Sequence, residues 1–436
     1  MKENEKGILY PNDRPHLGHW IPLSLQHVFA MFGATILVPI LTGLDPATAL
    51  FTAGTGTLIY IACTGAKVPA FLGSSFAFIP PLIGISASHG IAYAMGGAIA
   101  AGLFYCLVAV MVRFVGTKWL DRAMPPVVIG SVIVVIGLSL APTAMNMAMY
   151  VDSGSMTGYS PVYLSIAAVT LGITIAASIF FKGFFSTIPI LIGLVSGYFF
   201  TLIMGLFFPA YSIIDLQPVK DAAWFGLPHF RAPAFNLIAV LTFIIVSLAT
   251  ICEHLGDLVV VSKVVGRDFY KDPGLHRTIT GDGLASVWAA LWGGPPNTTY
   301  GENIGVMAIT KVYSVWVLGG AAVIAVLLSL FRKFGALIQT IPAPVLGGVS
   351  MLLFGVIASS GLRTIVESGV DYKDKRNLTI TSVILVIGIG GGKLAFAINQ
   401  DLQFALAGVA LATVVGIILN LIIPTSDKTP NVSKKS

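Results

Sequence analysis

The chain has 436 residues, of which 56% are hydrophobic and only 10% charged; its mean hydropathy is +0.89 and its net charge +6. Soluble domains carry about a quarter charged residues, so a water-soluble globular protein is excluded. The basic excess does not point to nucleic acid, because the lysines and arginines collect in the links between apolar runs.

The first eighteen residues are polar, and no small-residue cleavage site follows the first apolar run, so no cleavable signal is expected. Apolar runs of about 20 residues suffice to cross a bilayer. In the first half they read near 19–41, 47–65, 90–112, 126–142, 161–181 and 187–207. The second half has them near 235–262, 277–292, 313–331, 340–360, 376–392 and 402–424. Two shorter apolar pieces, 76–87 and 302–312, follow polar, Gly-rich entries. Counted as half-length elements, they give an all-α polytopic membrane protein with fourteen transmembrane elements. Seven elements per half is an odd number, so the second repeat starts from the opposite side of the membrane: the repeats are inverted. Interrupted segments at corresponding positions point to a transporter of this construction.

Charge placement sets the orientation. With both termini inside, every Lys and Arg falls on the cytoplasmic side except Lys220, Arg231, Arg332, Lys333 and Lys393. The cytoplasmic groups include Arg113, Lys118 and Arg122, then Lys263, Arg267, Lys271 and Arg277, then Arg363, Lys373, Lys375 and Arg376. That asymmetry is the positive-inside pattern. It predicts a multi-pass protein of the cytoplasmic membrane with cytoplasmic tails at 1–14 and 425–436 and exterior loops at 149–161 and 208–234.

Three acids stand inside apolar runs: Glu253, Asp257 and Glu302. An ionisable group in hydrocarbon costs at least a few kcal/mol, so it normally faces a cavity and marks a functional path. Glu253 and Asp257 are at i, i+4 spacing and share one helix face, while His254 points elsewhere. The competing reading, a structural carboxylate, is weakened because no lysine or arginine lies in a span to pair with it. The interrupted segments add complementary donors. A short helix beginning in mid-membrane aims unpaired N–H groups and partial positive charge at what lies before it. Two such starts, near Ser75–Phe76 and Gly301–Glu302, donate to carbonyls, while the carboxylates accept from N–H groups. A small planar ring with alternating N–H and C=O, as in a nucleobase, satisfies both sets. The extended pieces "LGSS" and "NTTYG" are expected to pair as short strands, since non-helical backbone at this depth needs partners.

The run "ENIGVMAITK" at 302–311 matches the signature of the nucleobase–ascorbate transporters, the nucleobase–cation symporter-2 family. "SLQHVFAMFGATILVP" in the first span, "LGSSFAFI" at the third element and "PNTTYGENIGVMAIT" at the tenth also match. The similarity runs from about residue 15 to 424. Within the family the chain resembles the bacterial uracil–proton symporters. Relatives carrying xanthine or uric acid usually have Gln where this chain has Glu302, and the ascorbate branch has Pro.

The resemblance implies a core domain at 15–115 and 235–331 and a gate domain at 116–232 and 332–424, working by alternating access, with no cofactor beyond the coupling proton. It also implies that Glu253 and Glu302 accept hydrogen bonds from uracil and that the main-chain N–H groups of Phe76 and Gly301 donate to its carbonyls. Ser75, Tyr300 and Ala34 complete the implied site, with Asp257, Glu253 and Glu302 as proton-coupling groups and a homodimer as the assembly. Two departures stand out: some relatives have His at Asp257, and one has Tyr at Phe354.

Other features have plainer readings. Gln26 and His27 in the first span could reach the site, but the plainer reading is that His27 ties that span to its neighbours. "GIGGGKLAF" lacks the Ser/Thr and first Gly of a phosphate loop, with Leu394 and Ile387 in those places, and reads as a helix end. "EHLGD" lacks a third ligand, so no metal is expected. Asp282 reads as an N-terminal cap at the start of a span, and Pro80–Pro81 as a pair that kinks or shortens the short helix. Cys63, Cys106 and Cys252 read as packing residues, and Pro125–Pro126 as the start of the fifth element. A purine carrier of the same family, a passive channel and an intramembrane enzyme are the alternatives; the last lacks a visible nucleophile–base pair.

Overall fold

The computed structural model describes residues 8–208, 211–399 and 402–424. The tail segments 1–7 and 425–436, assigned above to the cytoplasm, lie outside the described residues. Proline needs no N–H in a first helical turn, and it opens many of the long helices. The first half runs α1 (Leu17–Thr42), α2 (Pro46–Cys63), β1 (Leu72–Ser74), a 3-10 turn (Phe76–Phe78), α3 (Ile79–Ser88) and α4 (Ile91–Val115). It continues through α5 (Lys118–Ala123), α6 (Pro126–Ser139), α7 (Ala141–Met149), β2 (Tyr150–Asp152), β3 (Thr157–Tyr159), α8 (Pro161–Phe180) and α9 (Pro189–Phe207). After α10 (Gln217–Asp221), the second half begins with α11 (Leu237–Val265), α12 (Leu275–Leu291), β4 (Asn297–Thr299), α13 (Gly301–Thr310) and α14 (Val315–Ser329). It ends with α15 (Arg332–Gln339), α16 (Ala343–Glu367), α17 (Lys375–Ile389), β5 (Lys393–Asn399), β6 (Leu402–Ala407) and α18 (Gly408–Ile422).

Among the described residues eight helices are long and apolar enough to cross a membrane, with α6 and α7 forming one continuous span. Three shorter apolar helices, together with α12, α13 and α17, complete fourteen elements. The repeat symmetry appears in the packing. Helix α2 packs on α14 and α4 on α12; exchanging the halves converts one contact into the other. The α8–α9 and α17–α18 pairs are exchanged in the same way, and the α6–α16 contact maps onto itself.

Small residues allow these close crossings, since lipid tails give apolar helices no reason to prefer one another. A Cβ on Gly102 of α4 would stand 2.6 Å from the carbonyl oxygen of Gly283 on α12, and the reverse distance is 2.7 Å. Gly130 and Gly361 repeat the arrangement between α6 and α16, at 2.7 and 2.6 Å. In both places only hydrogen fits between the backbones.

Three expectations change and one is narrowed. Helix α12 starts at Leu275, after Gly274, so Asp282 lies two turns inside it and does not cap its start. Pro80 and Pro81 occupy the first turn of α3, where no N–H is required; of the two expected effects the structure has the shorter helix, which begins at Ile79 after the 3-10 turn Phe76–Phe78. Helix α16 runs to Glu367, beyond the apolar stretch, and its end carries an i, i+4 pair with Arg363 Nε 2.5 Å from Glu367 Oε1. The apolar run expected to be helical from 402 opens instead as β6, antiparallel to β5, and helix begins only at Gly408.

Candidate functional site

Each ten-residue helix, α3 and α13, spans about 15 Å, half the hydrocarbon thickness. Strand β4 leads directly into α13, and β1 leads into α3 through the 3-10 turn Phe76–Phe78. Strands β1 and β4 pair antiparallel with Leu72 opposite Thr299, Gly73 opposite Thr298 and Ser74 opposite Asn297. Flanking bonds extend the pairing: Ser75 N–H donates to the Pro296 carbonyl at 2.9 Å and Tyr300 N–H to Phe71 at 3.0 Å. Side chains satisfy further backbone groups. The Thr57 hydroxyl accepts from Leu72 N–H at 2.9 Å, and Ser286 Oγ donates to the Asn297 carbonyl at 2.9 Å. Asn297 Nδ2 donates to the Thr52 carbonyl at 3.0 Å. Irregular backbone at mid-membrane is tolerated on these terms, buried in protein and hydrogen-bonded.

A cavity of about 360 Å³ opens in front of the two helix starts. Glu253 and Asp257 of α11 line it together with Thr298 and Thr299 of β4, and Tyr300, Gly301 and Glu302 at the start of α13. Phe76 enters from the other half. The opposing wall comes from α6 and α16, through Ile133, Val356, Ile357, Ser359, Ser360 and Arg363. Glu253, Asp257 and Glu302 are half-buried. Among the described residues Glu253 Oε2 is buried without a hydrogen-bond partner, whereas Asp257 Oδ2 accepts from Thr299 Oγ1 at 2.7 Å. The amides of Phe76 and Gly301 open the 3-10 turn and α13, positions whose N–H groups have no intrahelical acceptor. The cavity thus combines carboxylate acceptors with main-chain donors. Its size is within the range of small-molecule sites, roughly 300 to 1,000 Å³.

Of the residues singled out from sequence, Glu253, Asp257, Glu302, Phe76, Tyr300 and Gly301 are brought together here. Ser75 and Ala34 are buried, 0% and 1% exposed, outside the cavity's lining. Tyr300 is oriented from behind: Thr35 Oγ1 donates to its hydroxyl at 3.2 Å, and that hydroxyl donates to the Ser74 carbonyl at 3.1 Å. Phe354 of α16 packs edge-on against Phe76, ring centroids 5.8 Å apart, so the position where a relative carries Tyr borders the site. His27 anchors α1 to α13: Asn303 Nδ2 donates to its carbonyl at 3.1 Å and lies 3.0 Å from its Nδ1.

Three features were missed. Arg363, placed in a loop by its charge, lines the cavity from α16. Asp282 is fully buried, with Oδ2 3.0 Å from Nδ1 of His254, though too far from linear for a full hydrogen bond. Gly73 has a steric role. A Cβ on it would stand 2.4 Å from Tyr300 Cζ. Gly73→Ala therefore forces the tyrosine off its two hydrogen bonds, and ligand affinity of the purified protein is expected to fall by about tenfold, the scale of overpacking at roughly 1–3 kcal/mol. Unchanged affinity would show that the ring can relax without disturbing the site.

A sequence model described as Permease family (Xan_ur_permease) matches residues 18–396. The uracil permease of Bacillus subtilis (strain 168) is 53% identical over 419 residues, covering 94% of each chain. That of Escherichia coli (strain K12) is 48% identical over 411 residues, covering 94% of this chain and 92% of its own. Among solved structures, the transmembrane domain of the cyanobacterial bicarbonate transporter BicA matches with a TM-score of 0.63 at 17% identity, covering 94% of this chain and 99% of that one. Murine Solute Carrier 26 family member A9 matches with a TM-score of 0.67 at 11% identity, covering 97% of this chain and 72% of that one. These two likenesses concern the fold alone.

Proposed function

The chain belongs to this permease family, and from that premise we propose that it carries uracil across the cytoplasmic membrane, coupled to protons, by alternating access. Relatives about half identical along nearly their whole length are uracil permeases, which supports the substrate. The observation that carries the reading is the cavity where Glu253 and Glu302 stand beside the first amides of two half-helices. Uracil offers two ring N–H groups and two carbonyls on one small plane. The carboxylates accept from the former and the Phe76 and Gly301 amides donate to the latter.

The domain division supports a moving barrier. One cavity wall belongs to the 15–115 and 235–331 group, the other to the 116–232 and 332–424 group. Sliding of the first group against the second carries the ligand from one side to the other. Neutralising Glu253, Asp257 or Glu302 with a proton removes the cost of taking a charge through the closed state. The charge distribution supports an orientation with both termini cytoplasmic, in which the Arg363 end of the cavity faces the cell interior. A homodimer is the assembly that the family resemblance supports.

An inward proton gains about 2.3 kcal/mol per 100 mV, equivalent to roughly 50-fold accumulation of a neutral base. Radiolabelled uracil uptake in a strain without its own permease is expected to be concentrative, and a protonophore is expected to reduce it to equilibration. Concentrative uptake that survives the protonophore would refute proton coupling, and competition by excess xanthine would move the substrate to the purine branch.

A further inference from the structure

A second, separate groove of about 370 Å³ runs along α1, α2 and α14. Trp20, Ile21, Leu58, Ile61, Trp316 and Gly319 line it. The walls face outward as apolar surface: Leu17 is 67% exposed, Ile21 58% and Val323 47%. Gly319 gives the groove its depth. A Cβ there would have only Ile61 Cδ1 within 4 Å, at 3.7 Å, so the space beyond that position is open.

One end of the groove is basic. It lies where α1 and α14 start and α2 finishes, and Trp20 Nε1 donates there to the Trp316 carbonyl at 2.7 Å. The Arg14 guanidinium carbon stands 3.7 Å from the Trp316 ring centroid. Arg277 Nη1 lies 3.6 Å from where a Cβ on Gly65 would stand, next to Ala66 of the groove lining. Both arginines are exposed, and among the described residues neither has a carboxylate within ion-pair range. The nearby acids are engaged: Asp272 by Lys67, and Asp13 by the Tyr10 N–H at 2.8 Å.

We propose that this groove is a binding site for an anionic phospholipid, one acyl chain lying along Gly319 and the headgroup phosphate at the end bordered by Arg14 and Arg277. An apolar slot on the membrane side matches a hydrocarbon chain. Unpaired guanidinium groups at its end, beside interfacial tryptophans, match an anionic headgroup and favour it over a zwitterionic one. A second copy of this chain would have to bring its own acids to that end, whereas a phosphate carries the charge itself.

Native mass spectrometry of the full chain, titrated with phosphatidylglycerol and phosphatidylcholine of matched acyl chains, tests the site. About fivefold per arginine is expected near an anionic headgroup, so the first lipid retained should be phosphatidylglycerol by roughly 25-fold. The Arg14→Gln/Arg277→Gln variant is expected to lose that preference, and Gly319→Leu to lose retention of both lipids. Equal retention of the two lipids by the wild type, or undiminished retention by Gly319→Leu, would overturn the proposal. A measurement without variants gives a further check: dibrominated phosphatidylglycerol should quench tryptophan fluorescence at a lower mole fraction than dibrominated phosphatidylcholine. Identical quenching curves would overturn the proposal, as would a Gly319→Cys variant that forms a disulfide between two copies in the bilayer.

Discussion

Glu253→Gln is expected to weaken uracil binding by roughly 10- to 100-fold and to abolish concentrative uptake, with the protein still folded. The estimate is the loss of one hydrogen bond to a charged acceptor, about 1.5–3 kcal/mol. Glu253 Oε2 is buried with no hydrogen-bond partner among the described residues, while Asp257 is engaged by the Thr299 hydroxyl. An unpartnered buried acceptor is costly and needs a reason, and a ligand N–H supplies one. Glutamine keeps the shape but replaces the charged acceptor with a neutral amide, whose NH2 faces a donor. Isothermal titration of purified protein reads the affinity, and a thermal melt of the same sample shows whether the fold survives. Glu302→Gln should fall in the same range. Wild-type affinity in either variant would remove that carboxylate from the site.

Both carboxylates were legible because a charge in an apolar run is conspicuous, and Glu302 stands in a segment whose Gly, Pro and Thr residues break a helix. The paired strands β1 and β4 followed from the need to satisfy backbone at that depth, and their register adds the detail. What escaped was set by partners distant in sequence. Gly73 must be glycine because Tyr300, more than two hundred residues later, occupies the space of its Cβ. Arg363 resembled a loop charge because its helix outlasts the apolar stretch. The β5–β6 pair was unreadable for another reason: a short apolar run has no periodicity that separates strand from buried helix.

Asp282 escaped for a related reason, and it carries the second large effect. The polar stretch before it, "YKDPGLHRTITGD", hides the helix start, so the acid resembles a cap. In the fold α12 packs between α2 and α4, and that packing buries Asp282 completely against His254 of α11. Among the described residues the hydroxyls of Tyr60 and Tyr105 are also buried without hydrogen-bond partners, and the Tyr60 ring is 6.5 Å from the imidazole. Breaking a buried pair by removing one member typically costs about 3–5 kcal/mol, a large part of a domain's margin of roughly 5–15 kcal/mol, whereas replacing both members with apolar groups is often neutral. Asp282→Leu is therefore expected to yield little monodisperse protein, or a markedly lower melting temperature. His254→Leu/Asp282→Leu should recover most of the loss. If the double variant melts no higher than the single one, the carboxylate is held by something other than the imidazole. The two tyrosine hydroxyls would then be the groups to remove next, Tyr105→Phe before Tyr60→Phe, because Tyr60 also packs against Gly281 of the same helix, where a Cβ would come within 2.9 Å of its ring.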